Sequence, residues 1–152
     1  LLPDWWQLSA YFWYSIPGNS FVYFPHEPAV IYAGTLYAPA LVAVIGGTAT
    51  MLASIIDHAF FTQTFQLEKF ASIKRTRVMR LAANLFNKRP WWTIVFFAFT
   101  PVPFYPIRVV APMSNYPMAR YVSAVVVGRL PRYFLLALGG VWVDQLTWSF
   151  LQ

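Results

Sequence analysis

Three ionisable residues stand in otherwise apolar stretches: Glu27 in FPHEP, Asp57 in SIIDHAF and Arg108 in PVPFYPIRVVAP. At the centre of a membrane helix each such charge costs about 2.5 to 3.5 kcal/mol on insertion scales, so three left unpaired cost roughly 8 to 10 kcal/mol. That sum is comparable with the whole stability of many proteins, and it requires the three to face one another or water. Glu27 and Arg108 each occupy a proline-flanked break, and backbone groups freed there are tolerated at depth only when buried in protein or lining a watery cavity. An arginine in such a cavity offers a fork of donors that a phosphate matches, helped by the positive ends of half-helices. A carboxylate beside it can take up or release a proton, so the charge of the pair depends on pH and on ligand. Contact between Glu27 and Arg108 is therefore expected. Asp57, beside His58 near a helix end, suits either this cavity or a snorkelling position at the interface. Arg129 and Arg132, three apart in GRLPR, share a helix face, and they either line the same cavity or mark a cytoplasmic helix end.

Other chemistries find little support. With no cysteine in the chain, disulfides, thiolate metal sites and thiol nucleophiles are excluded. His26 adjoins Glu27 and His58 adjoins Asp57, but zinc needs three or four convergent ligands, and no HExxH pattern accompanies them. A structural hydrogen bond is the expected role of both histidines. No glycine-rich phosphate loop, GxSxG elbow or recognisable carboxylate pair is present, so no enzyme activity, cofactor or metal is expected.

The solvent that must surround these charges follows from composition. Of 152 residues, 59% are apolar and 20% aromatic while 11% are charged, against roughly a quarter charged in a soluble domain. A soluble domain of this size leaves about a third of its unfolded surface in water, which so apolar a chain could not fill with polar groups. Lipid is the expected solvent, and the length suits a single membrane domain over residues 1–152. The net charge is +6, and seven of the eleven basic residues fall within 69–89. Both flanks of that run are apolar and no recognition motif accompanies it, so nucleic acid is not expected as a partner. Residues 67–89 read as a cytoplasmic connection obeying the positive-inside bias and touching anionic headgroups. Within it Val78, Leu81, Ala82, Leu85 and Phe86 recur at helical spacing among basic residues, as in an amphipathic interfacial helix.

Residues 28–56 form an uncharged run of 29, which as one helix would be roughly 43 Å long against about 30 Å of hydrocarbon. Pro28, Gly34 and Pro39 divide it into a broken segment over about 21–37 and a helix over about 39–65. Gly46, Thr50 and Ser54 give that helix a stripe of small residues for close packing. The second half repeats the arrangement. WWTIVFFAF rises only about 14 Å as a helix before Pro101, Pro103 and Pro106 break it, and Pro117 then opens a long helix through Gly140. The fold class expected is an all-α integral membrane protein with two proline-broken re-entrant hairpins and spanning helices, as an inverted repeat with its site between the halves. Its parts are an aromatic interfacial helix over 1–18 ended by Pro17 and Gly18, a first hairpin and helix over 20–66, the basic connection, a second hairpin and helix over 90–140, and a tail over 141–152 leaving the membrane.

The combination FPHEPAVIYAG, AFTPVPFYPIRVVAPMSNY and YVSAVVVGRLPRYFLLALGG resembles the DedA family, also called the VTT or SNARE-associated Golgi protein family, over roughly residues 20–140. The resemblance implies two re-entrant hairpins plus spanning helices, transport or scrambling of lipids, and dependence on the proton gradient in some members. It makes Glu27 similar to the acidic residue of the first hairpin and Arg108 similar to the arginine ending the second hairpin's break. Bacterial members usually carry a further acid upstream and another arginine earlier in the second hairpin. The matching stretches here hold Ser15 and, near Thr100, no base, which leaves Asp57 as the replacement acid. The expected function is a flippase or scramblase for an anionic phospholipid or lipid phosphate in a bacterial plasma membrane, with Glu27, Asp57, Arg108, Arg129 and Arg132 as its site. Membrane lipids are the expected partners, and a homo-oligomer is allowed. The competing class is a membrane assembly or scaffold protein without transport, in which these charges only fix how the hairpins pack.

Overall fold

A computed structural model of the chain describes residues 4–20, 25–64 and 77–150, the side chains of Val78 and Phe150 excepted. Among these residues there are seven α-helices and no strand: α1 (Trp5–Asn19), α2 (Glu27–Leu36), α3 (Pro39–Thr64), α4 (Arg77–Lys88), α5 (Pro90–Phe99), α6 (Tyr105–Met113) and α7 (Met118–Phe150). Proline sets most of the boundaries. Pro28, Pro39, Pro90 and Pro106 all lie in the first turns of their helices, where a missing N–H removes no helical hydrogen bond. Thr100 precedes Pro101 with an extended backbone (ψ 157°), the conformation the following ring enforces, and α5 stops there. Asn115 takes the left-handed conformation (φ 51°) in the turn between α6 and α7, which asparagine tolerates better than most residues.

The second broken segment and the long helix starting at Pro39 lie where the proline pattern put them, whereas 27–36 of the first expected broken segment is one unbroken helix and 21–24 lie outside the described residues. Helices α3 and α7, of 26 and 33 residues, rise about 39 and 50 Å and exceed the hydrocarbon thickness. In contrast α2, α5 and α6 have 10, 10 and 9 residues and rise only about 14 to 15 Å, half of it. The burial pattern of α3 is that of a helix in lipid. Its inner face holds Gly46, Gly47, Ala49, Thr50, Ala53, Ser54 and Asp57, while Val44, Met51, Ile56 and Phe60 point outward. Small residues let backbones approach, and lipid accepts the large ones.

Helix α1 ends at Asn19, beside the Pro17 and Gly18 expected to close it. It buries Leu8, Tyr11, Ser15 and Asn19 in packing along α3 and turns Trp5, Trp6 and Trp13 outward, so it is the first limb of the first half as well as an aromatic belt. The stretch 141–150 continues α7 with an exposed surface. In α4 the buried face is Met79, Ala82 and Phe86, while Leu81 and Leu85 face outward. Lys69, Lys74 and Arg75 lie outside the described residues.

With α1 included, the two halves have one plan: limb, break, limb, long helix. Their packing follows an exchange rule. The first limb of each half lies on its own long helix, α1 on α3 and α5 on α7, while the second limb lies on the other half's long helix, α2 on α7 and α6 on α3. The long helices also pack on each other. The α2–α7 crossing depends on glycine, because a Cβ built on Gly140 would stand 2.2 Å from the carbonyl oxygen of Ile31, and one on Gly34 would stand 2.2 Å from that of Ala137. Gly139 has nothing within 4 Å. Gly140→Ala must push the helices apart and is expected to lower stability by about 1 to 3 kcal/mol, the usual cost of overpacking. Gly139→Ala should be neutral or slightly stabilising, and denaturant titration of the two variants in detergent checks the contrast.

Candidate functional site

The charged residues of both halves meet where the two breaks face the long helices. Arg108, fourth residue of α6, is almost buried, and its Nε stands 3.3 Å from Oδ2 of the fully buried Asp57 on α3. Its two terminal nitrogens donate to the carbonyl oxygens of Asn19 and Ser20 at the end of α1. A helix leaves its last carbonyls without partners and its C-terminus partly negative, so this guanidinium closes a helix end and meets a carboxylate together. Ser20 Oγ donates to the other oxygen of Asp57 at 2.7 Å. Asp57 thus sits inside the protein at the junction of the halves and not at the interface.

Glu27 does not meet Arg108. Its partner is Arg132 of α7, and its side chain is 54% exposed where Arg132 is 17% exposed. The second nitrogen of Arg132 donates to the carbonyl oxygen of Thr100 at 2.7 Å, closing the end of α5 as Arg108 closes that of α1. The expected contact between Glu27 and Arg108 is therefore corrected. Position 27 opens α2, which lies on α7, and position 108 lies in α6, which lies on α3. Each charge finds its counterpart on the long helix its own limb packs against.

Arg129 shares the α7 face with Arg132 and has only neutral partners among the described residues. It donates to Oδ1 of Asn19 and, at 3.0 Å, to the hydroxyl of Tyr133, and its buried Nε makes no hydrogen bond. Tyr133 donates in turn to Asn19 Oδ1 and accepts from Thr50 Oγ1 at 2.8 Å. Asn19 Nδ2 donates to the carbonyl of Ser15. Because the Ser15 hydroxyl donates to the carbonyl of Tyr11, His26 Nε2 carries the proton that Ser15 Oγ accepts at 2.8 Å. His58 likewise donates from Nε2 to the carbonyl of Tyr116 at 3.0 Å. Both histidines serve as structural hydrogen-bond partners, and no cluster of three or more metal-binding side chains lies among the described residues. Phe104, in the second break, has Arg108 and Arg129 5.6 and 5.3 Å from its ring centre, within cation–π range of both.

The structure thus joins Asp57 and Arg108 through Asn19 to Arg129, pairs Glu27 separately with Arg132, and adds four residues that charge could not show. Asn19, Ser20, Tyr133 and Phe104 are uncharged and were not singled out. The only available signal was the four-residue spacing of Arg129 and Tyr133, which places them on one face.

The cluster holds three guanidinium groups and two carboxylates. It sits between helices of which two are long and apolar enough to cross a bilayer. This is the arrangement of a membrane protein with an internal cationic site. The family model of the VTT domain matches residues 24–141, and the chain belongs to that family, the DedA or SNARE-associated Golgi protein family. Comparison with curated proteins and with solved structures returned no match.

The two ion pairs should differ sharply in their worth. Asp57→Ala leaves the enclosed Arg108 without its counter-charge and is expected to cost about 3 kcal/mol, the low end for breaking a buried pair, since the α1 carbonyls remain as partners. Glu27→Gln opens a pair whose carboxylate is half exposed and should cost under about 1 kcal/mol. Unfolding of both variants in detergent measures the difference.

Proposed function

We propose that this protein moves an anionic phospholipid or a lipid phosphate across the bilayer, as a flippase or scramblase of a bacterial plasma membrane. One observation supports this above the others: an arginine, Arg129, with no carboxylate partner among the described residues, at the junction of two apolar half-structures. A charge in that position is costly, and a phosphate is the ligand whose oxygens match its donors. Arg108 is already engaged by Asp57 and two carbonyls, so the headgroup is received by Arg129, with Arg132 one turn along the same face. Arg108 then holds the two halves in register. The α1–α2 and α5–α6 pairs are read as re-entrant hairpins of an inverted repeat, since the second limb of the first and both limbs of the second are too short to span. The exposed Glu27, paired with Arg132, is the carboxylate placed to exchange a proton as the headgroup comes and goes.

Purified protein in liposomes, with fluorescent lipid and external dithionite, reads this directly. Arg129→Ala should abolish movement of anionic lipid while the protein stays folded, and Arg129→Lys should keep part of it, having the charge without the fork. Normal movement in folded Arg129→Ala would sink the headgroup role. No movement in the unaltered protein would leave an assembly role as the better reading.

Proton coupling has its own test. Glu27→Gln should flatten the dependence of transport on pH, because it removes the carboxylate with little change in volume. An unchanged profile would make the protein a passive scramblase, with Glu27 reduced to a packing role.

A further inference from the structure

Away from the central cluster, a cavity of about 630 Å³ opens where α4, α5 and α7 come together. Its charged lining is Arg89 and Arg120, and its aromatic lining is Trp91, Trp92 and Tyr116. A second hollow of about 400 Å³ adjoins it, sharing Arg89 and Trp92 and continuing past Leu85 to Phe96. No carboxylate lines either hollow, and neither arginine belongs to an ion pair among the described residues. The indole N–H of Trp91 donates to Ser123 Oγ at 3.2 Å, which fixes one wall. Trp92 and Phe96, 63% and 55% exposed, lie one turn apart on the outer face of α5.

The two hollows are thus one continuous feature with two chemistries. One end offers paired guanidinium groups among aromatic rings, as found at the headgroup level. The other is a trough along α5 walled by Leu85, Trp92, Thr93 and Phe96, with Lys88 as a further base beside Arg89. An amphiphile with an anionic head and an acyl chain matches both ends, whereas a free anion leaves the trough unused and an uncharged lipid leaves the arginines unmatched. Charge complementarity selects the occupant.

We infer that this surface is a binding site for one anionic phospholipid, its phosphate held by Arg89 and Arg120 and one acyl chain lying along Trp92 and Phe96. The site requires that the chain lie in a bilayer, and does not depend on transport through the central cluster. It holds a resident lipid beside α5, at the start of the second hairpin. Arg77 and Arg80 belong to the other end of α4, with Arg80 roughly 13 Å along the chain axis from Arg89, and are not part of it.

Since the chain has no cysteine, Phe99→Cys can carry a single bimane at an exposed position one turn beyond Phe96 and outside both hollows. The labelled protein is placed in phosphatidylcholine vesicles containing a small fraction of lipid brominated on its acyl chains, either phosphatidylglycerol or phosphatidylcholine. Two interfacial arginines are expected to enrich the anionic lipid roughly thirtyfold, so brominated phosphatidylglycerol should quench at a correspondingly lower mole fraction. Arg89→Gln/Arg120→Gln should bring the two lipids to equal quenching, and Arg77→Gln/Arg80→Gln should leave the preference intact. Equal quenching in the labelled parent overturns the inference. So does a preference that survives Arg89→Gln/Arg120→Gln, or one lost equally in Arg77→Gln/Arg80→Gln, which would mark a diffuse field and no site.

Discussion

A guanidinium enclosed among apolar helices must have its charge answered locally, because breaking a buried pair commonly costs several kcal/mol. Arg108 meets that demand from two elements at once, a carboxylate of α3 and the carbonyl end of α1. The rest of the site is arranged around this solution. Ser20 is held against Asp57, Asn19 is positioned to meet Arg129 and Tyr133, and Phe104 fills the space between two cations. The second break repeats the device with different parts, as Arg132 closes the end of α5 and reaches Glu27.

The division of labour between the two pairs follows from their exposure. Asp57 and Arg108 are shut inside, where the ion pair is strong and its loss expensive, and they suit a structural joint. Glu27 is open to its surroundings, where the same pairing is weak and reversible. A site that releases its ligand needs at least one such weak contact. The excess positive charge on Arg129 sits between these extremes, partnered by a neutral amide and a phenol that can yield to a stronger acceptor.

The elements were largely legible because proline acts locally. Pro39, Pro90, Pro101 and Pro106 limit φ, ψ and N–H donation at their own positions, so the short limbs and breaks could be placed from the chain alone. Charge was legible for a similar reason, since Glu27, Asp57 and Arg108 interrupt apolar runs. The partners were not. Glu27 and Arg108 share the same kind of proline-flanked setting, which suggested they belong together, but pairing depends on which limb packs on which long helix. That is decided by contacts such as Gly34 and Gly140 at the α2–α7 crossing, over a hundred residues apart in sequence. Pro17 and Gly18 marked the end of α1, which closes at Asn19, but nothing in them showed that α1 packs along α3.

The exchange of second limbs between halves bears on how the chain is made. Asp57 leaves the ribosome 51 residues before Arg108, an interval of some seconds at about 5 to 20 residues per second. During that time the first half has an acid facing an unfilled junction, with Thr50 and Ser54 beside it and no cation from α6 or α7 to meet it. The newborn first half is therefore an incomplete membrane unit whose small-residue face, shaped to receive α6 and α7, is open to whatever else the bilayer holds. Protection of that face, by slow insertion or by a helper, belongs to the biogenesis of a fold whose halves are completed by each other.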